Sequence, residues 1–253
     1  TLVNALIRQW RDAGDRVGVI AIDPASPVSG GAILGDRIRM TAALDDDGVF
    51  VRSLSSAGHL GGLSPAAVRI IDGLDAAHFD QIIVETVGTG QSEIDVAEVA
   101  DVRVVVCAPG LGDGIQAIKS GLLEIADILV VNKADLPGAE QTRQQLLAAL
   151  SIRSDERRNA PVLATTASDG SGLSEFTSAL GERTEIARKT SVDARRRRRA
   201  HYLIRHAALA WVREALNQQS ADQLNQLADE GLAGRSSATD AAKRLIARTN
   251  TND

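Results

Sequence analysis

The feature that most constrains this fold is a set of five short runs in which apolar residues are contiguous rather than alternating with polar ones. Contiguous apolar character is typical of strands that are covered on both faces of a sheet. Aromatic residues make up only 2% of the chain, so the core must be built from Val, Ile, Leu and Ala. We therefore predict buried strands at residues 17–23, 81–86, 102–108, 126–133 and 160–167.

Helical patterns, with apolar residues at steps of three and four, occupy the segments around these strands. They predict helices at residues 2–13, 65–76, 113–124, 141–150 and 173–188. Strands and helices that alternate with short turns indicate an α/β fold built on a mostly parallel sheet. Ligands bind such sheets at the carboxyl ends of the strands, where this chain carries Asp23, Glu85 and the polar segment 132–135.

The pattern changes near residue 191, and every later segment is predicted to be helical. We expect a core domain at residues 1–190 and a helical dimerisation region at residues 191–253. Residues 195–199 are five consecutive arginines. On a helix they spread around the circumference at about 100° per residue, which argues against one face that reads nucleic acid. A solvated helix face or a set of charges at a dimer interface is the expected role.

Bulk composition limits the partners and the compartment. The net charge of −5 argues against a general nucleic-acid-binding protein. A single cysteine, Cys107, excludes an internal disulfide framework and is typical of the reducing cytosol. No apolar run approaches the length of about 18 residues that a membrane span needs. We therefore expect a cytoplasmic protein that binds neither membranes nor nucleic acid.

The sequence VVNKAD closes the fourth predicted strand with a pattern suited to reading guanine. The carboxylate of Asp135 can accept hydrogen bonds from the ring N–H and the exocyclic amine of guanine, a donor pair that adenine lacks. Asn132 would hold the loop and contact the base, and the methylene stem of Lys133 would cover the base face. The alternative is a structural one, in which Asp135 caps the next helix.

The segment TTASDGSG, residues 165–172, ends the fifth predicted strand. Its small residues and backbone N–H groups could receive the carbonyl of a bound base. Taken alone the signal is weak, because most segments of this composition are only turns.

Acidic residues follow the first two predicted strands and suggest a magnesium site. Asp23 and Glu85 each stand at a strand end, and Asp36 lies in the glycine-rich segment SGGAILGD. Mg²⁺ is bound by one or two carboxylates together with phosphate oxygens and waters. Gly88 follows Glu85 closely, and its backbone N–H could sense a terminal phosphate. Asp23 as a helix cap and Glu85 in a structural ion pair are the alternatives.

Longer blocks of the chain resemble one family when taken in order. They are DPASPVSGGAILGDRIRM, ETVGTGQSE, PGLGDGIQAIKSG and EIADILVVNKAD. The resemblance is to the metallochaperone-type P-loop GTPases that serve cobalamin-dependent methylmalonyl-CoA mutase, which are also called lysine/arginine/ornithine transport-system kinases. It implies a homodimer that binds GTP or GDP with Mg²⁺. It also implies loading or protection of an adenosylcobalamin-dependent mutase as a partner.

The resemblance also implies roles for individual residues. Asp23, Asp36 and Glu85 match the acidic magnesium-site residues of the family. We assign catalytic roles to Asp36, Glu85 and Lys119, of which Lys119 lies in a third loop implicated in partner-stimulated hydrolysis. The residues assigned to the nucleotide are Asn132, Lys133, Asp135, Thr166, Ala167 and Gly88.

The phosphate-binding sequence G-x-x-x-x-G-K-[ST] does not occur in the 253 residues. In the family this loop directly precedes the segment TLVNAL, with which the sequence opens. The resemblance therefore implies a P-loop sheet without its first strand and phosphate loop, and we expect impaired nucleotide binding. Two alternatives to a GTPase remain open from the residues. One is a transport-associated kinase of a periplasmic amino-acid-binding protein, and the other is an inactive, partner-binding remnant.

Overall fold

The computed structural model describes residues 1–23, 46–55, 63–86, 92–110, 121–152, 159–217 and 221–249. They belong to two compact units, Thr1–Arg199 and Ala200–Asp253. The strands and the first six helices lie in the first unit. The predicted roles of Asp36, Gly88 and Lys119 concern residues outside the described ranges.

Six parallel strands are described in the first unit, and they form two sheets. They are β1 (Val17–Asp23), β2 (Val49–Ser55), β3 (Gln81–Thr86), β4 (Val104–Cys107), β5 (Ile128–Asn132) and β6 (Val162–Thr165). One sheet has the order β2-β1-β3 and the other the order β4-β5-β6. The α/β class and the parallel pairing are confirmed, although the described strands form two sheets rather than the single sheet expected. β2 was not predicted.

Nine helices are described. They are α1 (Leu2–Asp12), α2 (Pro65–Ala76), α3 (Ser92–Val99), α4 (Leu122–Ile125), α5 (Ala139–Ser151), α6 (Leu173–Arg188), α7 (Val192–Asn217), α8 (Ala221–Leu232) and α9 (Ala238–Thr249). The predicted bounds of α2 and α6 are confirmed. The predicted helical character of the C-terminal region is also confirmed. None of the described helices is both long and apolar enough to cross a bilayer.

The first sheet is covered on both faces. Ile7 of α1 packs with Val17, Val19 and Ala21 of β1 on one face. On the opposite face Gly18 lies against Leu74 of α2, where an added Cβ would sit 2.7 Å from a Leu74 methyl group. The missing side chain therefore allows α2 to approach the strand closely, and β1 is buried along its whole length.

The second sheet is covered in the same way. Leu146 and Leu150 of α5 pack against Leu129 and Val131 on one face. On the other face, the residues that enclose Ile128 and Val130 of β5 are Phe176 of α6 and Leu6 of α1. Because Leu6 and Ile7 are adjacent in α1, this one helix packs against both sheets.

Three of the five consecutive arginines form ion pairs with aspartates of the first compact unit. Arg199 has only 6% of its side chain exposed, and its guanidinium binds Asp72 at 2.6 Å and Asp75 at 3.2 Å. Arg195 and Arg198 both bind Asp101, at 3.0 Å and 2.9 Å. The expectation of a solvated helix face is therefore wrong for Arg199, whereas a dimer interface in this region stays a prediction. The three arginines attach the start of α7 to the rest of the first compact unit, which we call the α/β unit.

The second compact unit contains the rest of α7 together with α8 and α9. Leu227 of α8 and Leu245 of α9 are each less than a tenth exposed. The connection between α8 and α9 includes Gly234, whose φ of 71° lies in the left-handed region that favours glycine. The chain thus leaves the helical conformation at residues 233–237, between α8 and α9.

Candidate nucleotide site

The side chain of Asn132 joins the ends of β5 and β6. Its Oδ1 atom accepts a hydrogen bond from the Thr165 hydroxyl at 3.2 Å and one from the Ala167 N–H at 3.3 Å. The backbone adds a third link, from the Ala134 N–H to the Thr165 carbonyl at 3.0 Å. The VVNKAD and TTASDGSG segments are therefore brought together as one surface at the carboxyl end of the second sheet.

These contacts fix the orientation of the Asn132 amide. A backbone N–H can only donate, so the amide oxygen must face Ala167. The amide nitrogen then lies on the other side of the group, where it can donate to an acceptor on a bound base. Thr165, which is 1% exposed, supports this orientation from beneath. Sequence reasoning missed Thr165, although a hydroxyl-bearing residue at the end of β6 was the available signal.

Lys133 and Asp135 are both exposed at the surface formed by these loops. Lys133 has a φ of 58°, which is uncommon for a residue with a side chain and often marks functional loops. Its carbonyl accepts the N–H of Leu136 at 3.0 Å, so residues 133–136 form a turn. The N-cap of α5 is Gly138 rather than Asp135. The alternative in which Asp135 caps that helix is therefore wrong.

The loop after β6 is shaped by its own hydrogen bonds. The Thr166 N–H donates to the Ser171 carbonyl at 2.9 Å, and the Asp169 carboxylate accepts the Ser171 N–H at 2.8 Å. That backbone hydrogen bond lowers the pKa of Asp169. Gly172 has a φ of 73°, and a Cβ there would lie 2.1 Å from the Ala164 carbonyl oxygen. The close return of the loop onto β6 thus requires glycine.

Thr166 and Ala167 differ in what they can offer a ligand. Thr166 is 7% exposed, and its backbone anchors the loop. The Ala167 N–H is engaged by Asn132 and is not open to a base carbonyl in this arrangement. Both residues therefore support the loop through contacts within the protein, and direct contact with the base stays a prediction for them.

Asp23 and Glu85 end adjacent strands of the first sheet. Asp23 is the last residue of β1 and is 2% exposed, and Glu85 is half-buried on β3. Ala21 is the register partner of Glu85, and Asp23 follows Ala21 by two residues. Since residues two apart on a strand share a face, both acidic residues belong to the same face of the sheet, with Cα atoms about 8 Å apart by ideal strand geometry.

The magnesium set predicted from sequence includes Asp36, which lies outside the described ranges. Within the described ranges alone, no cluster of three or more His, Cys, Asp or Glu residues suited to a metal ion is found. What the described residues do contain is the pair of carboxylates of Asp23 and Glu85 on one face of the first sheet.

Comparisons with known proteins identify the family. The family described as methylmalonyl-CoA mutase-associated GTPase MeaB matches residues 1–223. A putative GTPase of Pyrococcus abyssi is 48% identical over 204 residues, which cover 79% of this chain and 63% of that protein. GTPase ArgK of Escherichia coli is 48% identical over 122 residues, which cover 48% of this chain and 37% of that protein.

More distant proteins are also similar. The mouse protein named methylmalonic aciduria type A homolog, mitochondrial, is 33% identical over 181 residues, covering 70% of this chain and 44% of that protein. The crystal structure of a LAO/AO transport system kinase superposes with a TM-score of 0.68 at 23% identity, covering 98% of this chain and 76% of that one. At this identity the likeness bears on the fold alone. The chain spans less than two thirds of the length of each of the three relatives. Because the family match extends over residues 1–223, the chain belongs to the family of the methylmalonyl-CoA mutase-associated GTPase MeaB.

Proposed function

We propose that this chain carries the guanine-reading and magnesium-binding residues of a GTPase that assists an adenosylcobalamin-dependent methylmalonyl-CoA mutase. The observation that carries the nucleotide part is the pair of hydrogen bonds that tie Asn132 to Thr165 and Ala167. They hold two loops in one surface, with Asp135 exposed on it. Membership of a GTPase family supports the same assignment of a guanine nucleotide site.

Guanine selectivity would come from Asp135. Its carboxylate would accept two hydrogen bonds from the base, each contributing about 1.5–3 kcal/mol because one partner is charged. Adenine presents no such pair of donors and would leave the carboxylate unmatched. The Asn132 amide nitrogen would donate to a ring acceptor, and the aliphatic stem of Lys133 would cover one face of the base.

Asp23 and Glu85, together with Asp36, would hold Mg²⁺ on the phosphate side. Two carboxylates on one face fit the oxygen ligands that Mg²⁺ prefers. A bound Mg²⁺ would neutralise charge that develops on the phosphates during hydrolysis.

The mutase partner is supported by the description of the family and by the name of one relative. The family is described as mutase-associated, and the mouse relative is named for methylmalonic aciduria. We propose that the protein acts as a homodimer, and that Lys119 and Gly88 contribute to hydrolysis and to sensing of the γ-phosphate. Purified mutase should bind this chain in the presence of GDP, and an absence of binding would contradict the assignment of that partner.

Competition between nucleotides tests the base site directly. Binding of GDP, ADP and xanthosine diphosphate to the chain should be compared by ligand-observed NMR, which detects weak binding. We expect weak but selective binding of GDP, because no phosphate-loop sequence occurs in the 253 residues. Asp135→Asn should lower the affinity for GDP about 10- to 100-fold, the loss of one charged hydrogen bond.

The same substitution should favour xanthine. An asparagine amide offers one acceptor and one donor group, which matches the ring N–H and the 2-carbonyl of xanthine. Asp222→Asn, at an exposed position of α8, is the matched control and should leave all three affinities unchanged. A wild-type chain that binds GDP and ADP equally would refute the guanine site.

A further inference from the structure

A serine on β2 lies on the same face of the sheet as the acidic pair. Ser53 is the register partner of Ala21, and Ala21 is in turn the partner of Glu85. The side chains of Ser53 and Glu85 therefore flank β1 on the face to which Asp23 also belongs. Sequence reasoning did not single out Ser53, because β2 was not predicted.

The hydroxyl of Ser53 is buried and has no hydrogen-bond partner within the described residues. Leaving a buried hydroxyl without a partner costs about 1–3 kcal/mol, so such groups in folded proteins usually meet a ligand, ion or ordered water. Ser55, the register partner of Asp23, differs in having interactions of its own. The orphaned hydroxyl therefore singles out Ser53 among the serines of this strand.

Strand geometry sets the reach of this hydroxyl. The Cα of Ser53 lies about 8 Å from that of Asp23, diagonally across one strand spacing, and about 10 Å from that of Glu85, across two. A serine side chain is too short to join both carboxylates to a shared ion directly. It is long enough to act through one water, and Mg²⁺ normally retains several waters when it is bound by only one or two carboxylates.

We propose that Ser53 is a positioning residue for the magnesium site, which its hydroxyl reaches by accepting a hydrogen bond from a metal-bound water. This inference rests on the proposed function, since it takes Asp23 and Glu85 as metal ligands. The role requires no direct bond to the ion. Groups that hold the ligands of a metal in this indirect way typically alter metal affinity 10- to 100-fold when they are removed.

A purely structural hydroxyl and a positioning hydroxyl predict different effects of Ser53→Ala. Removing a buried hydroxyl that has no partner should leave the metal-free protein as stable as before, or make it more stable. Removing a group that holds a metal-bound water should weaken metal binding. The variant is therefore expected to separate the two properties, with unchanged or improved unfolding and poorer metal affinity.

The test measures both properties on the full chain in the presence of GDP. Mn²⁺, which prefers the same oxygen ligands as Mg²⁺, serves as a probe whose free concentration is read by electron paramagnetic resonance. We expect Ser53→Ala to raise the dissociation constant for Mn²⁺ about 10-fold. Ser53→Thr keeps the hydroxyl on a residue type that strands favour and should restore affinity. Ser178→Ala, exposed on α6, is the control.

The outcomes separate this inference from the function on which it rests. If the wild-type chain binds no Mn²⁺, both the magnesium site and the role of Ser53 are refuted. If the wild type binds Mn²⁺ and Ser53→Ala binds it equally well, only the role of Ser53 is refuted. If Ser53→Ala destabilises the metal-free chain, the hydroxyl makes a structural bond and the inference also fails.

Discussion

At the scale of single residues, Thr165 decides how Asn132 is presented to a ligand. Its hydroxyl is buried and donates to the Asn132 amide oxygen at 3.2 Å. Thr165→Val keeps the shape of the side chain and removes only the donor. We expect a loss of about 1 kcal/mol in the free energy of unfolding, the usual net worth of one neutral hydrogen bond. Urea unfolding monitored by circular dichroism measures it.

The same variant should also reduce the preference for GDP over ADP, because a less constrained Asn132 amide can rotate. Thr165→Ser retains the hydroxyl and should retain the preference. Thr239→Val makes the same chemical change at an exposed position of α9 and should alter neither stability nor selectivity. Unchanged selectivity in Thr165→Val would show that Asn132 is held by the Ala167 N–H alone.

At the scale of elements, Glu140 in the first turn of α5 makes stability depend on pH. Hydrogen bonds from Arg143 and then Gln144 lower the pKa of Glu140 from 4.5 to about 2. A carboxyl whose pKa is lowered by folding stabilises the protein above its unfolded pKa and loses that contribution as the pH falls through the folded one. The contribution should therefore disappear between about pH 4.5 and pH 2.

Glu140→Gln should remove this part of the pH dependence while leaving the helix intact. The difference in unfolding free energy between wild type and variant should be largest near neutral pH and vanish near pH 2. Because Glu140 is exposed, about 1 M salt should shrink the difference by screening the Arg143 partner. A side-chain NMR titration with an ordinary midpoint near pH 4.5 would contradict the assignment.

The predictability of each element from sequence depended on its burial. β1 and β3 were predicted with their observed bounds, because contiguous apolar residues mark them plainly. β2 was missed because it forms an edge of its sheet, where exposed Phe50 and Arg52 alternate with more buried residues. β4 begins two residues later than predicted. Arg103, just before it, donates to Asp127 through its backbone and its guanidinium at 2.6–3.0 Å.

The prediction of site residues from sequence was also incomplete. Asn132 and Asp135 were found by their pattern, since the residues that touch a base form a short contiguous motif. Thr165 and Ser53 were not found from the sequence, because strand register, rather than spacing along the chain, brings them to the site. Register across a parallel sheet depends on long connections, which a single sequence does not reveal.

At the scale of the whole molecule, Arg199 holds the start of α7 to the α/β unit. Its nearly buried guanidinium binds Asp72 and Asp75 of α2, while those two carboxylates are 42% and 41% exposed. Removing the arginine leaves both aspartates partly hydrated, so the loss should be smaller than for a fully buried pair. We expect Arg199→Ala to lower the free energy of unfolding of the α/β unit by about 1–3 kcal/mol.

The neighbouring Arg197 supplies a matched control, because it is exposed in the same turn of α7. Arg197→Ala should change stability by no more than about 0.5 kcal/mol, as expected of a surface substitution. Arg199→Lys keeps the charge but not the fork that reaches both aspartates, and it should fall between the two. Hydrogen exchange measured by mass spectrometry should show faster exchange at residues 192–199 in Arg199→Ala. Equal stability of Arg197→Ala and Arg199→Ala would mean that the consecutive arginines act only as a solvated face, as their sequence alone suggests.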